Sequence, residues 1–312
     1  MESSHIALPS TDLHVHPLCL GTNTMGFTST AEESFAVLDA YVKHGGNFID
    51  TADMYSEWKP GNSGHESETI IGQWMKDRGN RADMVIATKV SKLSTRPGLS
   101  AANIKAAVDD SLKALQTDYI DIYYAHADDE TVPLTETLQA FTDLVTAGKV
   151  RYIAASNYSG ARLQEALDIS DANGFAKYTG LQNQYNLLDR QPYESDVVKV
   201  IENNGLWAAP YYGLAKGFLS GKYAPGVAVE SVRASGTVEY QNDRGWGVVT
   251  ALREIAKSHG CSVSAVALAW LRDRKGVSIP IASARIASQL EEIVQVVELS
   301  GDEIARLTTL SN

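Results

Sequence analysis

The sequence predicts a parallel (β/α)8 barrel, a TIM barrel, formed as one domain over residues 1–312. Three observations carry the prediction. Short apolar runs alternate eight times with amphipathic stretches. The length of 312 residues fits such a barrel as a single unit. Most of the runs stay apolar until their end and then present a polar or aromatic residue, where barrel enzymes build their sites.

In chain order, residues 1–16 predict a small hairpin closing the barrel floor. The candidate strands follow at 17–21, 48–52, 84–89, 119–126, 150–156, 178–183, 206–212 and 277–282. Their lengths and their β-branched or aromatic content suit buried strands. Helical patterns lie between them. Thr30 with Glu33 reads as a capping box, and Gly45 and Gly46 stop the helix it opens. Ser100 caps 101–115, where Ile104, Val108, Leu112 and Leu115 recur at helical spacing. Val145, Ala147 and Gly148 close the next helix, and Ser300 with Glu303 opens a last one. Residues 222–245, after strand seven, have little periodicity and predict a long loop, either a functional lid or a disordered stretch. An open doubly wound sheet is the alternative reading of the same alternation.

Composition narrows the partners. A formal net charge of −11 argues against a nucleic-acid partner, which requires a basic face. Cys19 and Cys261 are the only cysteines, each beside apolar residues, and they read as reduced thiols rather than a disulfide framework. No basic stretch followed by an apolar run opens the sequence, and no run approaches the roughly 18 apolar residues of a membrane span. The expectation is a cytoplasmic protein with no membrane partner.

The strand ends carry the chemistry. They present Asp50, Lys89, His126, Ser156 with Asn157, Gln182 with Asn183, and Tyr211 with Tyr212; Arg285 follows the eighth run. One lysine or histidine at such a place is ordinarily a solvated or hydrogen-bonded residue, but a succession of them points to a site. Tyr55 lies five residues past Asp50. A phenol is a poor acid at neutral pH, and Lys89 nearby would stabilise its phenolate and lower its pKa. Asp50 can hold Lys89 charged and aimed, and the His126 imidazole can polarise a substrate carbonyl. No nucleophile is matched to a base. What remains is proton donation to an oxygen while hydride reaches the carbon, and no side chain supplies hydride, so a cofactor is needed.

These residues sit in recognisable stretches: GGNFIDTADMY at 45–55, GHESETIIG at 64–72, ATK at 87–89 and LQTDYIDIYYAH at 115–126. GKVRYIAASN at 148–157, LQNQYNLLDR at 181–190 and GFLSGKY at 217–223 continue the series. Collinear and correctly spaced, they make the chain resemble the aldo-keto reductase superfamily over nearly its whole length. The resemblance implies a catalytic tetrad of Asp50, Tyr55, Lys89 and His126 that reduces an aldehyde or ketone, with a keto-sugar among the candidates. It implies NADP as cofactor, with NADPH preferred over NADH. Asp50 also borders the cofactor. Ser156, Asn157 and Gln182 match positions that hold the nicotinamide carboxamide, and Tyr211 the ring that stacks on it. Gly21 and Thr22 resemble the turn lying against the cofactor; Leu214, Lys216 and Gly217 resemble the pyrophosphate segment. Arg285 and Gln289 match the adenosine end, where an arginine pairs with the 2′-phosphate.

The sequence departs from that pattern at Tyr212 and Gly213, at Ala282 and Ser283, and at Ile293. The first pair reshapes the expected substrate pocket; the others weaken the expected NADP preference. Trp58, Tyr212, Tyr240 and Trp246 are candidates to line the substrate cleft, with packing of the loops themselves as the equal alternative. Two rivals concern function. DLHVH at 12–16 could begin a barrel metal site, but both histidines precede the first buried run, away from the strand ends. The other is a cofactor-binding regulatory protein without turnover, against which the intact tetrad speaks.

Overall fold

Strands of two to seven residues cannot stand alone, and this chain gathers eight of them into a ring that leaves no open edge. The computed structural model describes residues 5–227, 229, 234–276 and 279–312. An antiparallel hairpin comes first, β1 (Ile6–Ala7) and β2 (His14–Val15). The chain then runs β3 (Cys19–Gly21), α1 (Ala31–Lys43), β4 (Phe48–Asp50), α2 (Glu66–Arg78), β5 (Val85–Val90) and α3 (Ala101–Leu115). It continues through β6 (Ile120–Ala125), α4 (Leu134–Thr146), β7 (Val150–Ser156), α5 (Gly160–Asn173), β8 (Tyr178–Gln182) and α6 (Val198–Asn204). β9 (Trp207–Ala208), α7 (Asp243–His259), α8 (Val263–Arg272), β10 (Ile281–Ala282), α9 (Ala287–Ile293) and α10 (Gly301–Leu310) complete it.

The strands pair in parallel in the order β10-β3-β4-β5-β6-β7-β8-β9. The outer two also meet. Ile279 N–H donates to Ala208 O at 3.0 Å and Ile281 N–H to Pro210 O at 2.9 Å, a step of two residues on each side that closes the barrel. The helices start where the sequence marks them. Thr30 and Ser300 each form a full capping box, with Glu33 and Glu303, and the Ser100 hydroxyl accepts from Asn103 N–H.

Side-chain alternation then fixes what faces the barrel axis. Val85 and Ala87 of β5, Ile122 and Tyr124 of β6, Ala154 of β7 and Trp207 of β9 fill the interior, over Leu8, Leu13 and Val15 from the hairpin. The intervening residues pack outward against the helices, where Ile104, Val108 and Leu115 of α3 are wholly buried. One more step of two along the same strands brings Lys89, His126 and Ser156 to the upper rim. The hairpin therefore closes the floor, and the site has only the opposite face to occupy.

Three expected segments differ in extent. Strand seven contracts to Trp207–Ala208, because Pro210 has no N–H to donate to a ladder. In the eighth run, residues 277 and 278 lie outside the described residues. Within 222–245, residues 228 and 230–233 lie outside them too. The rest is more regular than its composition suggests: Ser235–Tyr240 makes a 3-10 turn, and Asn242 caps α7 by accepting from Gly245 N–H. No helix among the described residues is long and apolar enough to cross a membrane.

Candidate active site

β4 ends on Asp50, and β5 carries Lys89 one residue before its end, so the two side chains meet above the barrel interior. Lys89 is wholly buried. Its ammonium donates to Asp50 Oδ2 at 2.6 Å, to Thr51 O at 2.6 Å and to Tyr55 Oη at 3.0 Å. Those three bonds exhaust its protons. Because Tyr55 Oη accepts from Lys89, its own proton is left for another acceptor; Asp50 Oδ2 stands off at 3.5 Å. The second Asp50 oxygen accepts from Gln182 Nε2 at 2.8 Å. The carboxylate is thus held from both sides. His126 completes the group, its ring 6.1 Å from that of Tyr55 and set edge-on to it.

Burial sets the protonation states. It pushes the Tyr55 phenol up to about 12, although Lys89 pulls the other way. The expected lowering by Lys89 is therefore present but outweighed, and Tyr55 keeps its proton throughout the neutral range. Burial opposes the Lys89 charge as well, but Asp50 and Tyr55 overcome it and hold its pKa above that of a free lysine. His126 is driven well below the usual imidazole range by burial, then by Lys89 and Lys92, and it is neutral at pH 7. The result is a neutral phenol and a neutral imidazole at the rim, above a buried ion pair.

Above them opens a cleft of about 720 Å³. It brings together most of the residues picked out in the sequence: Asp50, Tyr55, His126, Ser156, Asn157, Gln182, Tyr211, Gly21, Leu214, Lys216, Gly217, Arg285 and Gln289. Asn157, in the left-handed region at φ 58°, links several of them. Its Nδ2 donates to His126 O at 2.8 Å, and its Oδ1 accepts from the Tyr211 hydroxyl at 2.8 Å. Gly21 is glycine for want of space: a Cβ there would lie 2.7 Å from Ser283 Oγ and 2.9 Å from Ile281 Cγ2. Lys216 pairs with Glu239 at 2.8 Å, tying the 3-10 turn to the segment after β9. Arg285 is exposed, with its backbone N–H donating to Gln289 Oε1 at 3.0 Å.

Thr22 stands apart. Its buried hydroxyl donates to Asp50 O at 2.9 Å and accepts from Ser67 at 2.8 Å, which fixes the strand end from below. Of the four aromatic candidates, Trp58 and Tyr212 line the cleft. Tyr240 and Trp246 stand outside it. Tyr240 is buried, bonded to Asp189 Oδ2 at 2.7 Å, and both rings pack on Phe218. Here loop packing prevails over cleft lining. The cleft also includes Phe27 and Lys92. Both sit in loops following strand ends, so the strand-end signal extended by one loop would have found them. At the floor, His14 is exposed and His16 is buried, its Nδ1 accepting from Leu18 N–H, so the two do not converge.

Behind Tyr55 lies a second titratable group. Asp53 is buried, and among the described residues neither carboxyl oxygen has a well-formed hydrogen bond, the Met54 backbone N–H being its one weak polar contact. Near it Glu68, wholly buried, accepts from Thr88 Oγ1 at 2.5 Å and pairs with His65 Nδ1 at 2.5 Å. Burial first, then the charge of Glu68, lifts the Asp53 carboxyl to about 7.

Comparison with known proteins agrees with this geometry. The model of the aldo/keto reductase family matches residues 17–312. Protein tas of Escherichia coli (strain K12) is 32% identical, the match covering 96% of this chain and 95% of that protein. Norsolorinic acid reductase stcV of Emericella nidulans is 32% identical over 95% of this chain and 78% of its own length. An aryl-alcohol dehydrogenase, NADP(+), of Phanerodontia chrysosporium is 30% identical over 94% and 81%.

Proposed function

The chain belongs to the aldo/keto reductase family, a family of oxidoreductases, and from that premise we propose that it reduces an aromatic aldehyde or ketone to the alcohol with NADPH. The observation that carries the reading is the Lys89 ammonium, which spends its three protons on Asp50, Thr51 and Tyr55 and leaves the Tyr55 proton only a long 3.5 Å bond to Asp50 Oδ2, from which a substrate oxygen can take it.

The residues fit a nicotinamide dinucleotide. Lys222 and Arg285, beside Lys216 in its pair with Glu239, give one part of the cleft positive charge suited to phosphates, while the neutral Tyr55 and His126 border another. The backbone at Ala215, Lys216 and Gly217 takes left-handed values of φ, 47°, 56° and 98°, turning the chain sharply along the same wall. Ser156, Asn157, Gln182 and Tyr211 would hold the nicotinamide, Leu214, Lys216 and Gly217 the pyrophosphate, and Arg285 with Gln289 the adenosine end. When bound, the cofactor supplies the hydride.

The chain's own groups do the rest. A substrate carbonyl oxygen placed between Tyr55 and His126 meets two neutral donors. Charge grows on that oxygen as hydride reaches its carbon, and Tyr55 Oη transfers its proton there. The phenolate left behind is stabilised by Lys89 at 3.0 Å, and Lys89 in turn by Asp50. The rings of Phe27, Trp58 and Tyr212 at the cleft favour an aryl substrate over a keto-sugar. The name of the aryl-alcohol dehydrogenase relative points the same way.

The test is NADPH oxidation with benzaldehyde by the wild type and by Tyr55→Phe. Turnover should fall at least about 100-fold while NADPH binding, read by fluorescence, stays within twofold. A Tyr55→Phe enzyme retaining more than about a tenth of wild-type kcat would remove Tyr55 as the acid.

A further inference from the structure

We propose that Lys92 makes this enzyme selective for aryl carbonyls that carry a carboxylate, the ammonium at the cleft rim pairing with the anionic substituent while the carbonyl sits at Tyr55. The proposal rests on the reading of the site as an aryl carbonyl reductase and deepens it to a substrate class.

Lys92 lines the cleft together with Tyr55, Trp58 and His126. Its charge reaches the catalytic group, being among the influences that keep His126 neutral. Lys92 takes part in no ion pair or hydrogen bond among the described residues. The acids of the flanking loops are engaged elsewhere. Glu57 accepts from Ser94 N–H at 3.1 Å, Asp128 holds Arg162 at 2.9 Å, and Asp129 accepts from Leu99 N–H at 2.9 Å. Lys92 is exposed at the cleft rim, and desolvation together with repulsion from Lys89 lowers its pKa, with no compensating anion among the described residues. Lys216, on the same cleft, is the contrast: it is satisfied by Glu239.

The lysine is also held in place. Ser91 sits at φ 117°, and its hydroxyl accepts from Ala127 N–H at 3.2 Å, which anchors the loop to the one after β6. On the other side the Ser94 bond to Glu57 anchors it next to Trp58. The bracing fixes the backbone from which the Lys92 side chain springs, so its ammonium stays within reach of the cleft rim. A flat ring lying against Trp58 would present its carbonyl inward and a substituent outward. A carboxylate there meets Lys92, and a neutral group gains nothing from it.

The experiment compares 3- and 4-carboxybenzaldehyde with their neutral isosteres, 3- and 4-carbamoylbenzaldehyde, as the ratio of kcat/KM within each enzyme. The ratio cancels any effect of Lys92 on the chemical step. In the wild type at least one carboxylated isomer should be favoured about fivefold, the upper range for an exposed ion pair, mainly through KM. The preference should be kept by Lys92→Arg, lost in Lys92→Met, inverted in Lys92→Glu, and weakened by 0.5 M salt. A wild-type ratio near one for both isomers, or a preference that survives in Lys92→Met, overturns the proposal even if all four aldehydes are reduced. Should none be reduced, the reading of the site as an aryl carbonyl reductase fails. The Lys92 contact is then judged by binding alone. Benzoate and benzamide are titrated against the enzyme–NADPH complex, with quenching of tryptophan fluorescence as readout. Tighter binding of benzoate that disappears in Lys92→Met supports the contact; equal binding overturns it.

Discussion

Replacing Asp53 by Asn should make the protein more stable than wild type at alkaline pH and not at acid pH. In the unfolded chain this carboxyl titrates near its ordinary value of 3.8; in the folded protein burial and Glu68 lift it to about 7. Between those values the folded state binds the proton and the unfolded state does not. Stability is therefore full below 3.8, is lost progressively as pH rises towards 7, and then levels off. At about 1.36 kcal/mol per tenfold change in proton affinity, the total loss above pH 7 is about 4 kcal/mol, of which roughly 2.5 falls between pH 5 and pH 8. Asn has the shape of the protonated acid and does not titrate. The stability difference between Asp53→Asn and wild type should therefore grow by about 2.5 kcal/mol in the variant's favour from pH 5 to pH 8, roughly 5 °C in midpoint for a chain of this size. Urea denaturation at several pH values measures it directly, and taking the difference cancels the titrating groups other than Glu68 and His65, which Asp53 touches electrostatically. A difference that stays constant across that range would refute the argument and show that Asp53 is charged or solvated in the native state.

Two further substitutions test the ends of the cleft. Lys89→Met keeps the length of the side chain and removes its charge. Tyr55 then loses the group that pulls its pKa down, and kcat should fall about 100-fold or more. The buried Asp50 also loses its cation, at a cost of about 3–5 kcal/mol seen in thermal denaturation. Wild-type turnover in this variant would show that the ion pair is structural only. Arg285→Ala should reduce the preference for NADPH over NADH about tenfold in kcat/KM, the loss of one charge-assisted contact with a 2′-phosphate. An unchanged cofactor ratio would place the Arg285 side chain in solvent.

What the sequence revealed, and what it hid, follows from how local each signal is. Thr30, Ser100 and Ser300 announce their helices because a cap and its partner lie three residues apart. Asp50, Lys89 and His126 are legible because apolar runs end on them and a parallel barrel must present strand ends together. The bond from Gln182 to Asp50 spans 132 positions, and only the closed barrel brings the two together. Tyr240 and Trp246 misled because an aromatic residue in a loop has the same composition whether it lines a cleft or anchors the loop on Phe218. The rise in the Tyr55 pKa was hidden too: an attracting lysine can be read from the sequence, whereas the withdrawal of water depends on the packing around it. Lys92 could be placed by extending the strand-end signal by one loop, but its interest was hidden for a related reason, since it lies in the carboxylates that do not reach it.

The closure of the barrel has a consequence for how the chain is made. Cys19 pairs with Ile281, so the first barrel strand and the last are neighbours separated by 262 residues. As the chain leaves the ribosome, β3 can find β4 early, but its other edge has no partner until residues 279–282 emerge. The loop that must close is as long as the barrel itself, and its entropy is recovered only when the final strand docks. Both β9 and β10 are two residues long, so little backbone pairing holds this seam. It is also where Arg285, Gln289 and the turn at 212–217 converge on the cleft. A dinucleotide lying along that line would bridge the last-formed junction of the ring. Its arrival would complete the folding of the enzyme as well as its chemistry, and amide exchange at Ile279 and Ile281 should slow when NADPH is added.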